Sequence, residues 1–318
     1  MKKILMTNPN YMLLLGHEAK MMLEEHGFTV VGNTSNEPLK REKLLELVTD
    51  VYGIIAGVEN FDEEVFKAAK NLRIIARYGV GVDNIDIEKA KKYGIAVTNT
   101  KGANANGVAE HTVALIFALL RNIPVLNEEV KKGIWSRYEA KEITGSLVGF
   151  IGFGEIARLA AKKLCGFDVK LYAYDKYPDK KAADELEVKY ASFDYILTNC
   201  DIISLHLPYT PETYRIIGEN EFKEMKKGAL FINTSRGQLV DEMALYHALV
   251  SGRLGGAAID VYEKEPVDPD NPLLKLNNII CTPHIAGSTR QNHEKAGLMV
   301  AQAIIDFMEG RTPKNLLP

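Results

Sequence analysis

The sequence predicts an α/β protein built on two parallel sheets. Three observations carry that reading. Apolar, β-branched runs alternate with helical spacings through the first hundred residues. A second alternating series begins at Leu147. A glycine-rich turn joins the first strand and the first helix of that second series. Such alternation lays helices on both faces of a parallel sheet, the doubly wound arrangement.

In the first series, Lys3-Ile4-Leu5-Met6 reads as a strand. Helical spacing from Leu13 to His26 stops at Gly27, a residue type suited to the position just past a helix. Phe28 to Val31 is strand-like, and Leu39 to Val48 is helical. Tyr52 to Ala56 is a strand. Asp62 caps a helix running to about Lys70, with Glu63 and Glu64 at its positive end. The strand Arg73 to Ala76, a short helix Ile87 to Tyr93 and the strand Ile95 to Thr98 complete the series. Residues 106 to 121 are apolar on nearly every side, which predicts a helix buried all round, between domains or between subunits. Glu128 to Glu142 is charged, holds the one tryptophan, Trp135, and reads as a surface helix and loop.

In the second series the strands are Leu147–Ile151, Lys170–Tyr174, Ile202–Leu205, Leu230–Asn233, Gly256–Asp260 and Ile279–Thr282. Six strands suffice for a complete doubly wound sheet. The last helix, about Gln291 to Glu309, is amphipathic and stops at Gly310.

At 318 residues, the chain is long enough for two domains. A net charge of −3 gives no electrostatic footprint for nucleic acid or an acidic membrane. No apolar run reaches the roughly 18 residues of a membrane span. The start of the chain lacks the apolar run of a signal peptide, so the expected location is cytoplasmic. Cys165, Cys200 and Cys281 are odd in number and widely spaced, which supports neither a disulfide framework nor a metal site.

Gly152-Phe153-Gly154-Glu155-Ile156-Ala157 is a GxGxxA fingerprint. Gly152 permits the tight turn, Gly154 lets the backbone approach a pyrophosphate, and Ala157 lets helix and strand pack closely. The pattern alone also fits an ordinary strand–helix turn. Asp175 sharpens it, because it ends the next strand 21 residues after Gly154, where an acid receives the adenosine ribose hydroxyls. Asp175 would also repel a 2′-phosphate, so the predicted cofactor is NAD rather than NADP. Lys176 and Lys180 stand nearby, either as solvated lysines or as a softening of that preference.

Three segments end later strands, where ligands collect in such sheets. They hold Arg236, Glu265 and His284. A guanidinium grips a carboxylate and polarises a carbonyl, a histidine gives or takes a proton, and a carboxylate beside it fixes the tautomer. Taken singly, Arg236 equally suits a surface ion pair, Glu265 a solvated loop, and His284 a satisfied turn.

Several ordered motifs join these. They are Arg77-Tyr78-Gly79-Val80-Gly81-Val82-Asp83-Asn84-Ile85-Asp86, Val108-Ala109-Glu110-His111-Thr112 and His206-Leu207-Pro208-Tyr209-Thr210-Pro211-Glu212-Thr213. With the fingerprint and the three segments, they resemble the D-isomer-specific 2-hydroxyacid dehydrogenases over essentially the whole chain. The resemblance is to the phosphoglycerate dehydrogenase-like short form. It implies two Rossmann-like doubly wound domains with the active site in the cleft between them. The substrate domain would be discontinuous, residues 1–101 and 286–318, with the NAD-binding domain, 102–285, inserted.

The resemblance implies roles as well. Arg236 would bind the substrate carboxylate and carbonyl, His284 would be the acid/base, and Glu265 its partner. Tyr78, Gly79, Val80, Gly81 and Asn104 would lie on the substrate side. Leu207, Pro208 and Thr213 would line the adenosine side, and Thr234 and Asp260 the nicotinamide side. Thr112, Glu155, Ile156 and Gly287 would also face the cofactor. The partner would be a small 2-keto or 2-hydroxy acid, and a homodimer would form through the cofactor domain, with the apolar helix at its interface.

Three readings of the activity stand within that resemblance. Phosphoglycerate dehydrogenases usually carry an arginine in the loop after the strand Ile54-Ile55. Here the loop reads Ala56-Gly57-Val58-Glu59-Asn60-Phe61, with no cation, and Glu59 would repel a phosphate. A length of 318 residues also leaves no expected room for a regulatory domain. Reduction of a small 2-keto acid such as hydroxypyruvate or glyoxylate, or of a bulkier 2-keto acid, is the second reading. The third is a non-enzyme, an NADH-sensing corepressor-like protein. Formate oxidation is disfavoured, because the related formate enzymes carry glutamine where Glu265 stands.

Overall fold

Short runs of buried Ile, Leu, Val and Ala form both sheets of this protein, seen here in a computed structural model that describes residues 2–9 and 17–318. Strands β1 (Lys3–Met6), β2 (Thr29–Gly32), β3 (Gly53–Ala56), β4 (Ile74–Arg77) and β5 (Ala96–Thr98) form the first sheet, in the order β2-β1-β3-β4-β5. Every pairing is parallel, with Leu5 opposite Val31 on one side and Ile54 on the other. Strands buried on both faces read as continuous apolar runs, and β3 is buried at every residue. Asp62 caps the helix Glu63–Ala68 through the amides of Glu64 and Val65, as the sequence predicts. The first helix begins, among the described residues, at His17 and ends at Glu25; the expected helical residues 13–16 lie outside the described residues.

The chain splits into two compact units, Met1–Asn104 with Ser288–Pro318, and Ala105–Gly287. The last helix, Arg290–Met308, therefore belongs to the first unit, where it packs on His17–Glu25 and on β4. Beyond it, Leu317 donates its amide to the carbonyl of Val97 in β5.

The second unit holds β6 (Leu147–Ile151), β7 (Lys170–Tyr174), β8 (Lys189–Tyr190), β9 (Ile202–Leu205), β10 (Ala229–Asn233), β11 (Leu254–Ile259) and β12 (Ile279–Cys281). Their order is β12-β11-β10-β9-β6-β7-β8, all parallel. The order reverses at β6, between β9 and β7, the switch point at which doubly wound sheets bind ligands. Six strands were expected here. The seventh, β8, is two residues long and sits at the sheet edge, too short to show an alternation of its own.

One further expectation is met in part within a single chain, and another is corrected. The helix Ala105–Leu120 forms, but it is not buried all round within this chain. Ala109, Leu115 and Ile116 are buried, against Glu155–Leu164, β10 and β11, whereas Ala114 is exposed and Val113 and Phe117 are half-buried. One chain supplies cover for one face only. The next helix spans Ile123–Lys131 rather than starting at Glu128, because Pro124 suits a first helical turn. The chain from Gly133 to Glu142 is irregular. Among the described residues, no single helix is long and apolar enough to cross a membrane.

Candidate active site

The cofactor loop follows directly from the end of β6. Gly152 has φ of 88°, and a Cβ there would stand 2.5 Å from the carbonyl oxygen of His206. Only glycine fits that turn. Gly154 precedes the helix Glu155–Leu164, and a Cβ on it would meet nothing within 4 Å. The space over the helix N-terminus is open, and its amides are free of any side-chain cap, which fits a pyrophosphate. Ala157 is fully buried, so helix and strand approach closely, as expected. Glu155 is exposed at the first helical position, and Ile156 beside it is half-buried. Behind the loop, His206 contacts Ser204 at 2.8 Å, and burial pushes it down to about 4, so it is neutral near pH 7.

Asp175 stands at the end of β7, half-buried. Its Oδ2 accepts the amide of Phe153 within the fingerprint at 2.7 Å, and its Oδ1 accepts that of Tyr177 at 2.8 Å. A carboxylate has about four acceptor positions, so two remain for a ribose diol. The acid therefore shapes the loop and keeps capacity for the ligand. Around the loop that follows β9, Leu207 is half-buried and Pro208 exposed. Thr213 Oγ1 donates to the Pro208 carbonyl at 2.8 Å and accepts the Thr210 amide at 2.7 Å, which pins that turn.

Thr112 and Thr234 are buried and in contact. Thr112 Oγ1 donates to the Val108 carbonyl at 2.8 Å, so Thr234 is the donor in the 3.0 Å contact between the two hydroxyls.

The three chemical side chains gather at the ends of β10, β11 and β12. His284 Nδ1 lies 2.7 Å from Glu265 Oε2, and Glu265 Oε1 accepts the Tyr262 amide at 3.1 Å. Burial opposes ionisation of Glu265. The hydrogen bond and charge of His284, with the Tyr262 amide and the Arg236 cation, outweigh it and hold the carboxyl below its usual range. Such a carboxylate keeps the proton of neutral His284 on Nδ1 and leaves Nε2 for chemistry. Arg236 is half-buried beside them, with Nη1 donating to the Ser235 carbonyl at 2.7 Å. Gly237 follows because nothing larger fits: a Cβ would lie 1.9 Å from the carbonyl carbon of Tyr262.

Asp260 is fully buried and builds the turn that carries His284. Its Oδ1 accepts the Thr282 hydroxyl at 2.6 Å and the Ile285 amide at 2.9 Å, and its Oδ2 accepts the Ala286 amide at 2.8 Å. The His284 amide donates to the Asp260 carbonyl at 2.8 Å. Within that frame His284 adopts φ of 53°, a left-handed conformation uncommon for a side chain of this kind. The Thr282 hydroxyl commits its proton to Asp260, so the 3.2 Å contact with His111 Nε2 needs that nitrogen to be the donor. Gly287 closes the second unit. Thr282 and His111 are site neighbours that the sequence reading left without a role.

In the first unit, the expected substrate loop follows β4. The Tyr78 hydroxyl is buried and donates to the His293 carbonyl at 2.7 Å. The Gly79 carbonyl accepts the Thr100 amide, and that of Val80 accepts Asn99 Nδ2 at 2.9 Å, with Gly81 half-buried beside them. Arg77 Nη1 donates to the carbonyls of Ala56 at 3.3 Å and Tyr78 at 2.6 Å, which ties this loop to the loop after β3. Asn104 is half-buried, one residue before Ala105–Leu120. Glu59, the acid of the loop after β3, is 7% exposed. Its carboxylate accepts the Thr7 hydroxyl at 2.6 Å and the Leu39 amide at 3.0 Å, inside the fold.

A fingerprint at the switch point and an acid–histidine pair at later strand ends of the same sheet define a dinucleotide-binding protein with acid/base chemistry. Comparison with known proteins gives the family. Residues 113–286 match the NAD binding domain of the D-isomer specific 2-hydroxyacid dehydrogenases. The chain is 40% identical, over 98% of its length, to a D-3-phosphoglycerate dehydrogenase of Archaeoglobus fulgidus, and spans 58% of that relative. It is 37% identical, over 93% of its length, to a glyoxylate reductase of Korarchaeum cryptofilum, and spans 91% of that protein. A crystal structure of a Thermus thermophilus protein matches with a TM-score of 0.91 at 33% identity, over 99% of this chain and 100% of the other. The chain belongs to the D-isomer specific 2-hydroxyacid dehydrogenase family, and its second unit carries that family's NAD-binding domain.

Proposed function

We propose that the protein interconverts a 2-keto acid and a D-2-hydroxy acid, with His284 as the acid/base. The 2.7 Å contact between His284 and Glu265, at strand ends of the sheet that carries the fingerprint, is the observation that supports this most directly. NAD, when bound, accepts or supplies the hydride at substrate C2. In reduction, Arg236 polarises the keto group and grips the adjoining carboxylate. The resemblance assigns the amides of Val80 and Gly81 to the substrate, with Asn104; the Gly79 amide donates to the Arg77 carbonyl at 2.9 Å and so shapes that loop. His284 protonates the keto oxygen from Nε2, and Glu265 stabilises the imidazolium before transfer. Leu207, Pro208 and Thr213 take the adenosine side, Thr112, Thr234, Asp260 and Gly287 the nicotinamide side, and Gly152, Gly154, Glu155 and Ile156 the pyrophosphate.

The loop after β3 favours a small, unphosphorylated keto acid such as glyoxylate or hydroxypyruvate. Residues 57–61 contain no cation, and their one acid is consumed within the fold. A phosphoglycerate dehydrogenase activity is the second reading, favoured by the Archaeoglobus relative. Steady-state assays with NADH and a panel of 2-keto acids decide. The highest kcat/KM is expected for an unphosphorylated acid. A preference for phosphohydroxypyruvate would overturn the substrate reading. NADH binding with no turnover of any acid would leave the corepressor-like sensor instead.

A cytoplasmic homodimer completes the proposal. The three cysteines carry no disulfide, which fits a reducing compartment. Beyond Ala105–Leu120 in the chain, Ile123, Val130, Ile134 and Trp135 are exposed, Trp135 at 81%. Exposed apolar side chains of this number support burial against a second copy. Sedimentation velocity reads the mass directly, and a monomer at micromolar concentration would exclude this interface.

A further inference from the structure

Arg215 lies outside every motif assigned above. It is also a non-glycine residue at φ of 48°, a conformation kept only where surroundings impose it. Its guanidinium reaches two loops at once. Nε and Nη2 bind the two carboxylate oxygens of Glu263 at 3.1 and 3.3 Å, and Nη1 binds Asp241 Oδ2 at 3.0 Å. A bidentate arginine–carboxylate pair fixes direction as well as distance. Asp241 uses its other oxygen to cap the helix Glu242–Val250 through the amides of Met243 and Ala244.

These two loops are the ones that carry the chemistry. Glu263 stands two residues before Glu265, and Asp241 lies five residues past Arg236. The backbone repeats the tie. The Arg215 amide donates to the Gln238 carbonyl at 2.8 Å, and the Ile217 amide to that of Leu239 at 3.1 Å. Gln238 Nε2 donates to the Glu263 carbonyl at 3.3 Å. Glu242 Oε1 accepts the Glu263 amide at 2.6 Å. Gly237 is pressed against Tyr262 at the same crossing. The chain at 236–242 and the chain at 262–265 are thus laced together, and Arg215 is a cation that ion-pairs with both.

We propose that Arg215 is a positioning residue, a clamp that sets Glu265 against His284 by holding Glu263. Glu265 takes its own anchor from the Tyr262 amide, in the same short turn. Release of Glu263 frees that turn to rotate, and Glu265 then leaves Nδ1 of His284. The tautomer of His284 becomes mixed, and its Nε2 is no longer reserved for the substrate. The charged groups around His284 are Glu265, Arg236 and the buried Asp260 beneath its turn; Arg215 acts through the first of them.

The consequence for turnover rests on the proposed dehydrogenase activity, so the experiment has a readout that does not. Long-range ¹H–¹⁵N NMR of the full chain at alkaline pH gives the tautomer of neutral His284, assigned by the loss of its signals in His284→Ala. Wild type is expected to hold the Nδ1–H form. Arg215→Ala and Glu263→Gln are expected to lose that excess, and Arg215→Lys to restore part of it. In parallel, kcat for the best 2-keto acid falls on the order of tenfold in Arg215→Ala, less than the roughly 10²–10⁴-fold that the whole acid/base supplies. NADH affinity stays within about twofold, since the clamp touches no cofactor contact. A wild-type tautomer in both folded variants overturns the clamp, whatever the turnover. Should Arg215→Ala fail to fold, Glu263→Gln answers the same question with the arginine kept. No turnover by wild type sinks the proposed activity while the tautomer comparison still decides the clamp.

Discussion

Each unit of this protein uses one buried acid to hold a loop beyond a strand end, and the two acids hold different things. Glu59 follows β3 and takes a threonine hydroxyl and one amide, from Thr7 and Leu39. Asp260 follows β11 and takes a threonine hydroxyl and two amides, from Thr282, Ile285 and Ala286. The anchoring chemistry is nearly the same. The loop at Glu59 carries no other titratable group between Gly57 and Phe61. The turn at Asp260 carries His284, held at positive φ with its ring on Glu265. A doubly wound sheet offers the same anchoring device at many strand ends. The proposed chemistry sits where the anchored turn presents a histidine with one nitrogen uncommitted.

The largest effect follows from removing that acid/base. His284→Ala is expected to lower kcat by about 10²–10⁴, the contribution of a positioned general acid. NADH binding, measured by fluorescence titration, is expected to stay close to wild type, because the fingerprint and Asp175 are untouched. Normal turnover with weakened NADH binding would reverse the assignment and make His284 a cofactor contact.

The anchors themselves separate the two units at the next level. Glu59→Ala and Asp260→Ala each strand buried donors, at about 1–3 kcal/mol for every group left unpaired. Both variants are expected to unfold at lower urea. Only Asp260→Ala is expected to lose kcat as well, since its turn carries the histidine and Asp260 is itself proposed on the nicotinamide side. Glu59→Ala is expected to keep kcat and to alter KM through the loop it shapes. Equal losses of kcat in the two variants would break the distinction drawn between the anchors.

Much of this was legible in the sequence, for reasons that can be named. β6, β7 and β9 are runs of apolar residues bounded by polar turns, and their limits match the reading residue for residue. Arg236, Glu265 and His284 could be proposed together because few residue types suit acid/base work at strand ends, and the fold brings His284 and Glu265 into contact. Other features are set by long-range contacts that leave no local trace. β8 exists only as a two-residue edge paired to β7. Glu59 reads as a loop acid until Thr7, 52 positions away, closes on it. The apolar helix at 105–120 shows its burial but not who covers it. Arg215 belongs to no motif, because its partners at 241 and 263 come together only in the fold.

A smaller effect tests the other shared feature, the acid beyond a strand of the cofactor sheet. Asp175→Ala is expected to narrow the preference for NADH over NADPH by roughly tenfold, equivalent to about 1.4 kcal/mol. The measurement is the ratio of kcat/KM with the two cofactors. The same change frees the Phe153 amide, so NADH affinity also falls. An unaltered ratio with weaker binding of both cofactors would limit Asp175 to shaping the loop, as Glu59 does in the other unit.

The smallest effect concerns Glu265 and acid. Its folded carboxyl titrates below its ordinary value of 4.5, against the pull of burial and because of His284, Tyr262 and Arg236. A depressed carboxyl stabilises the fold at pH above its unfolded value, and that contribution is lost as pH falls through the folded value. Glu265→Gln has no such contribution to lose. The drop in urea midpoint between about pH 7 and about pH 3.5 should therefore be smaller in the variant than in wild type. The difference is modest, because the side chain is 37% exposed and solvent screens the pair. Asp62, Asp201 and Asp306 are depressed too, so acid sensitivity remains in the variant. Equal drops in the two proteins would mean that the His284 contact is too weak in solution to hold the carboxyl down, and the pair would then be a poor candidate for fixing the tautomer.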